Sequence, residues 1–343
     1  MINFMKKLLL FWLLFFSIDS FSQDPHFSQY QNVPLLINPA LSGLQQRSQA
    51  IINHRRQWAS IGPAFRTITA SYDQPLTNPK KEKGFLSCGI TVLSDQAGDH
   101  DLNQLYGLIS IAYHVPVGEY SRIGAALNGG VGQKSISPDG FQWGSQWNGT
   151  SFDPSLPGGT APVTNRFTFG DIGAGIVWNY NKGERYMTGN DHRSYTLGAA
   201  VYHANKPKSS FYNSDDRLPM RIVMHAEATV GIPNTNISFL PGFLFQQQGA
   251  SSEWLAGARI RYLLQAKSNY TGFMAGKALS LGLHYRSQDA MIASLQVELG
   301  NYMFGYSYDI NTSGLSNATN RRGGSEIFFR FLLPAKPSIA SKR

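Results

Sequence analysis

The stretch Met220–Ile232, MRIVMHAEATVGI, decides the fold. Every second residue is apolar: Met220, Ile222, Met224, Ala226, Ala228, Val230 and Ile232. The residues between them include Arg221, His225, Glu227 and Thr229. Successive side chains of a β-strand point to opposite faces, so a period of two sorts this segment into an apolar and a polar face. A helix would scatter the same charges around its circumference.

The sorting recurs along the chain. Trp254, Ala256, Ala258, Ile260, Tyr262 and Leu264 oppose Gly257, Arg259, Arg261 and Gln265, and Leu279 to Tyr285 alternate with Ser280, Gly282, His284 and Arg286. Leu86 to Val92, Phe304 to Tyr308 and a closing segment Ile327 to Leu333 follow the same rule. Such segments predict about 14 strands, starting near residues 49, 65, 85, 102, 121, 166, 193, 219, 236, 253, 276, 289, 301 and 325. Several approach the roughly 9–11 residues that a tilted membrane strand needs. An all-β transmembrane barrel of antiparallel strands accounts for them, because an even, closed set leaves no unpaired edge for lipid to meet. The longest connection, Lys134 to Asn165, then falls on the outer side, and short turns such as Pro116–Tyr120 and Gly300–Asn301 on the inner side. The competing soluble β-sandwich would carry a strongly charged outer face. Here that face mixes Gly, Ser and sparse charge.

The start of the chain fits export. Lys6 and Lys7 precede the apolar run Leu8–Phe16, with small residues at Ser20 and Ser22, which reads as a signal peptide over residues 1–22. The run is too short for a spanning helix of roughly 20 residues. Residues 23–48 are expected to form a short periplasmic cap or plug, 49–333 the barrel, and 334–343 a flexible basic tail, with both ends periplasmic. Charged residues make up 15% and aromatics 13%, and mean hydropathy is −0.23, as expected of a barrel apolar outside and polar inside. Cys88 is the sole cysteine, so no internal disulfide framework exists. Without the leader, Lys+Arg falls from 30 to 28 and Asp+Glu from 21 to 20, leaving +8. Export turns that basic balance away from nucleic acid and toward outer-membrane lipid and lipopolysaccharide.

No catalytic or cofactor constellation stands out: the H-E-x-x-H, G-x-S-x-G and phosphate-loop patterns are absent. The chain therefore reads as a non-enzyme without a cofactor. Arg221, His225, Glu227, Arg259, Arg261, His284 and Arg286 share the predicted inward faces. They form either an ion-paired lumen wall or a lining that engages a plug or a bound polypeptide. Trp143 and Trp147 sit in the long outer loop, as partner anchors or as residues that fold the loop back. Trp58, Tyr72, Tyr113, Trp178, Tyr180, Tyr202 and Tyr262 lie where interfacial girdles are expected.

Residues Gln23–Gly43, QDPHFSQYQNVPLLINPALSG, are not a strand: Pro34 and Asn38–Pro39 break any ladder, while Phe27, Tyr30 and Leu35–Ile37 need burial. This block closely resembles the opening of the PorP/SprF family of Bacteroidetes outer-membrane proteins. So, in order, do HRRQWASIG (His54–Gly62), FRTITASYDQPL (Phe65–Leu76), GLHYRSQDA (Gly282–Ala290), GYSYDINTSGLS (Gly305–Ser316) and GGSEIFFRF from Gly323. The resemblance singles out Phe27, Tyr30, Asn38 and Pro39 as the family-motif segment. It implies a barrel serving type IX secretion and gliding motility, which grips the C-terminal domain of a large secreted adhesin alongside secretion components. It carries no catalytic residues. A plugged barrel transporting apolar small molecules is the alternative.

Overall fold

The computed structural model describes residues 24–60, 62–79, 84–98, 102–137, 141–159, 162–183, 190–212, 214–266 and 276–333. The expected signal peptide and basic tail lie outside these residues. The strands are β1 (Gln49–Gln57), β2 (Phe65–Pro75), β3 (Phe85–Ala97), β4 (Leu102–Pro116), β5 (Ser121–Ser135), β6 (Arg166–Lys182) and β7 (Arg193–Tyr202). They continue as β8 (Arg221–Gly231), β9 (Ile237–Gln248), β10 (Ser251–Gln265), β11 (Lys277–Arg286), β12 (Ala290–Leu299), β13 (Tyr302–Asn311) and β14 (Arg322–Leu332). Each pairs antiparallel with the next, and β1 closes on β14 from Gln49↔Leu332 to Gln57↔Gly324. The expected barrel of 14 strands is present.

Period two sets the two surfaces. Leu127, Ile176, Leu281, Leu283 and Ile327 are each more than half exposed on the outer wall, a surface that is costly in water and satisfied in lipid. Call the end where β1 begins and β14 finishes the near end, and the opposite one the far end. Aromatic pairs gather on the outer wall toward the near end: Trp178 with Tyr180, Tyr180 with Tyr195, and Tyr302 with Phe331. Tyr202, expected in a girdle, points the other way. It is 1% exposed inside the lumen because it lies an even number of residues from the inward Gly198.

The N-terminal segment fills the lumen. Helical turns at Tyr30–Asn32, α1 (Pro34–Ile37) and Pro39–Leu41 follow one another, with each proline in a first turn where its missing N–H costs nothing. Phe27, Tyr30, Val33, Leu36 and Ile37 pack with Leu93, Tyr106, Phe169, Val223, Leu244, Leu255 and Ile292 of the wall. Toward the near end, Ala40, Leu41 and Leu44 pack with Ala112, Ala126 and Val177. The segment is therefore a plug threaded through the barrel rather than a cap at one mouth. Asp24 contacts the far-end residues His203 and Gln248, whereas Arg47 bonds the near-end Asn301 and Leu333. Asp24 and Leu333 lie at opposite ends of the lumen.

Candidate functional site

The candidate site is the plugged lumen with the loops at its far end. Three seats hold the plug, and each brings together residues far apart in sequence.

The first seat is at the far end. Asp24 Oδ2 lies 2.7 Å from His203 Nε2 and 3.4 Å from Arg221 Nη1, while His203 Nδ1 lies 2.9 Å from Asp171 Oδ1. The Asp24 amide donates to Gln248 Oε1 at 2.9 Å. Burial alone would raise the Asp24 carboxyl, but His203 and Arg221 beside it hold it well below the usual carboxylate range. Burial likewise disfavours a charged His203, yet carboxylates at both ring nitrogens raise it to about 9. Arg221 also donates to Leu36 O at 3.0 Å and stacks its guanidinium 4.6 Å from the Tyr202 ring centre. The Tyr202 hydroxyl donates to Leu35 O at 2.7 Å.

The second seat is a buried charge cluster around Ser28. The Ser28 hydroxyl donates to Asp309 Oδ1 at 2.7 Å, and its amide donates to Glu326 Oε2 at 2.7 Å. Arg55 bridges Asp309 at 2.8 Å and Glu326 at 3.4 Å, and Arg286 bonds both Asp309 and Asp289. Arg55, Arg286, Asp309 and Glu326 are all essentially inaccessible. Two cations with two carboxylates satisfy one another and the plug backbone together, which is what makes such burial tolerable.

The third seat holds Asn38 in mid-lumen. Its Nδ2 donates to Ile176 O at 2.8 Å and Ala199 O at 3.3 Å and lies 3.1 Å from His225 Nε2. Its Oδ1 accepts from the Ala40 amide at 2.9 Å. Gly175 and Gly198 make room for it, since a Cβ on either would clash with the Asn38 amide. Pro39, the next residue, starts the helical turn that turns the plug toward the near end, where His114 and Ser87 bond Ser42 O.

These contacts divide the sequence candidates. Arg221, His225 and Arg286 touch the plug, as do the family-motif residues of the plug itself, Phe27, Tyr30, Asn38 and Pro39. Arg259 and Arg261 bond Gln296 and Glu298 at 2.7 Å and, with Glu227, line a cavity of about 390 Å³ between the plug and β7–β14. Its wall is polar, and the exposed Gln45 forms part of its rim. His284 is buried on β11, with neither ring nitrogen hydrogen-bonded among the described residues. Sequence reasoning missed Asp24, Arg55, Asp171, His203, Asp309 and Glu326. The inward parity of Arg55, Asp171, Asp309 and Glu326 was readable, but not that they would gather around a single segment; Asp24 and His203 lie outside any strand.

The far-end loop between β5 and β6 is folded against itself. Trp143 lies over Gly158 and Gly159 and meets Phe141 edge-on at 5.7 Å, so it folds the loop back. Trp147 pairs with Phe152 in a short bridge and is 57% exposed. The loop is tied to its neighbour through Val163, whose amide donates to Phe211 O at 2.9 Å.

The family model described as type IX secretion system membrane protein PorP/SprF matches residues 19–331. The chain belongs to the PorP/SprF family. Several solved barrels are similar in shape at low identity. CdiB from Acinetobacter baumannii has a TM-score of 0.44 and 12% identity, over 84% of this chain and 60% of that one. The TodX deltaS2S3 mutant monoaromatic hydrocarbon channel gives 0.43 and 9%, over 87% and 93%. BamA from Haemophilus ducreyi lacking POTRA domains 1-3 gives 0.41 and 10%, over 83% and 70%. No curated protein matches the sequence. Membership in this family and a closed barrel with an apolar outer belt place this PorP/SprF protein in the outer membrane, and the family points to a role in type IX secretion.

Proposed function

We propose that this PorP/SprF barrel binds and anchors the C-terminal region of a large type IX-secreted surface adhesin, supporting its secretion or gliding motility. The observation that carries this reading is the filled lumen. A plug fastened at three seats along its length occupies the lumen, which suits a membrane-held platform better than an open pore. The far-end loops, with Trp147 and Val163 exposed, supply apolar anchors for a partner outside the membrane. Secretion components would meet the near end. Transport of apolar small molecules is less well supported, because the charged Arg259, Arg261, Glu227 and Glu298 line the lumen cavity alongside the apolar Ile37, Leu41 and Leu44 of the plug.

Tagging the chromosomal copy and extracting the outer membrane in mild detergent tests the reading. A stoichiometric large surface protein, retained through its C-terminal region, is expected, together with little conductance in planar bilayers. A barrel that purifies alone with a small apolar molecule inside would overturn it in favour of transport.

A further inference from the structure

The barrel seam carries a charge arrangement that strand pairing alone does not explain. Arg56 on β1 lies directly opposite Arg66 on β2, both on the outer face and both exposed. On the other side of β1, the exposed Arg322 begins β14, opposite the outward Ile310. Like charges directly across a strand pair destabilise it. Among the described residues no carboxylate or hydrogen-bond acceptor pairs with any of the three. The acids on the same and adjoining strands, Asp73, Asp95, Asp309 and Glu326, face inward, and Asp309 and Glu326 are committed to Arg55, Arg286 and Ser28. Each arginine also sits just beyond the apolar belt: Ile52, Ile68 and Ile327 are outward and exposed on the same strands. Trp58 follows Arg56 and packs edge-on against Phe65 at 5.1 Å, an aromatic pair at the same level.

Three guanidiniums above an acyl-facing surface, beside an aromatic pair, match one kind of occupant: an amphipathic lipid with a phosphorylated head. Guanidinium groups pair with phosphate through parallel hydrogen bonds and are less strongly hydrated than ammonium. We propose that Arg56, Arg66 and Arg322 form a binding site for the phosphate of an outer-leaflet glycolipid at the β1–β14 seam. This deepens the outer-membrane placement and rests on the far end facing outward, the side of the long β5–β6 loop. The bound phosphate replaces the missing counter-charge, and the acyl chains lie along Ile52, Ile68 and Ile327.

The basic pair at the opposite rim behaves differently and serves as the control. Lys182 on β6 faces Arg193 on β7, but its ammonium lies over the Tyr120 ring at 5.9 Å, so part of its charge is already met.

The test uses the full purified barrel in detergent, delipidated and then titrated with phosphorylated lipid A, dephosphorylated lipid A, phosphatidylglycerol or inorganic phosphate. Bound lipid is read by native mass spectrometry and stability by the temperature at which the barrel loses its compact gel mobility. Phosphorylated lipid A is expected to remain bound and to raise that temperature; the other three should do so at least tenfold less well. R56Q/R66Q should lose at least tenfold in lipid A affinity while melting no lower than wild type when delipidated, because the like-charge pair is gone. K182Q/R193Q should bind lipid A as wild type does. Equal effects of inorganic phosphate or phosphatidylglycerol, or unchanged binding by R56Q/R66Q, would sink the proposal. None of these readouts depends on an adhesin, so failure here leaves the anchoring reading standing, and failure of the co-purification leaves this site standing.

Discussion

Replacing Asn38 with alanine removes the polar half of the mid-lumen seat: donation to Ile176 O at 2.8 Å and Ala199 O at 3.3 Å, the contact with His225, and acceptance from Ala40 N at 2.9 Å. At a net ~0.5–1.5 kcal/mol for each hydrogen bond, with the longer contacts counted at the low end, the loss is about 2–4 kcal/mol. Gly175→Ala attacks the same seat from the wall side. Its new Cβ would clash with the Asn38 carboxamide and lie 2.9 Å from Pro39 Cδ, an overpacking that costs about 1–3 kcal/mol. In the Asn38→Ala background the carboxamide is gone and only the Pro39 contact remains. The two substitutions therefore share most of one clash, and residues in direct contact couple by about 0.5–3 kcal/mol. The double variant should fall short of the summed single costs by about 1–2 kcal/mol. Hydrogen exchange of the amides from residue 30 to 44, in detergent, reads the opening free energy of the plug directly. Strictly additive costs would mean that Gly175 and Asn38 do not share a seat. So would a Gly175→Ala variant whose plug amides exchange as in wild type, and either outcome would refute the threaded plug.

Four further outcomes follow from the same geometry. The far-end seat should depend on pH. His203 is raised to about 9, so its contribution is complete below its ordinary 6.5 and is lost as pH rises through 9. Asp24 is depressed, so its contribution persists above 3.8 and is lost only as pH falls below it. Exchange of the amides nearest Asp24 should accelerate between pH 6.5 and 9.5 beyond the intrinsic rate, and a flat corrected profile would contradict the seat. Arg55→Met should lower barrel stability by about 3–5 kcal/mol, because Asp309 keeps only Arg286 and Glu326 loses its ion pair; Asp309→Asn added to it should recover part of the loss in a denaturant melt. Tyr202→Phe should cost about 1 kcal/mol and speed exchange around Leu35, whereas a tyrosine in an outer girdle would leave plug amides untouched. Trp147→Ala should leave the melt within about 0.5 kcal/mol of wild type while reducing adhesin recovery in the tagged purification; a destabilised barrel would show the indole to be structural.

The wall was legible in the sequence because lipid and lumen impose opposite demands on alternate residues. From Met220 to Ile232 those demands place Met224 outside and His225 inside, and the same rule sets every strand start within about three residues. Tyr202 shows where the rule was not applied: its aromatic character suggested a girdle, while its parity with Gly198 already pointed inward. The plug was legible only in part. Pro34 and Asn38–Pro39 excluded a strand, and the apolar residues around them required burial, but nothing local reveals depth. Whether such a segment caps a mouth or crosses a lumen depends on contacts such as Ser28 with Asp309, 281 residues apart. No periodicity encodes a pairing at that separation.

The plug also limits how a partner can engage the barrel. Read from the sequence, the inward charges are either an ion-paired lumen wall or a lining that engages a plug or a bound polypeptide. In the folded protein Arg221 is committed to Asp24 and Leu36 O, His225 to Asn38, Arg286 to Asp309, and Arg261 to Glu298. A partner that entered the lumen would have to displace the plug and replace its contacts with Arg221, His225, Asp309 and Glu326. Each buried charge left without its partner costs about 3–5 kcal/mol. A partner at the far-end loops meets no such demand: Trp147, Val163 and Tyr212 are exposed there, and covering them removes apolar surface from water without breaking any seat. On the proposed anchoring reading, the adhesin is therefore gripped from outside, and the plug keeps the grip from becoming a pore. Plug exchange rates measured with and without bound adhesin distinguish the two modes, since only lumen entry would accelerate them.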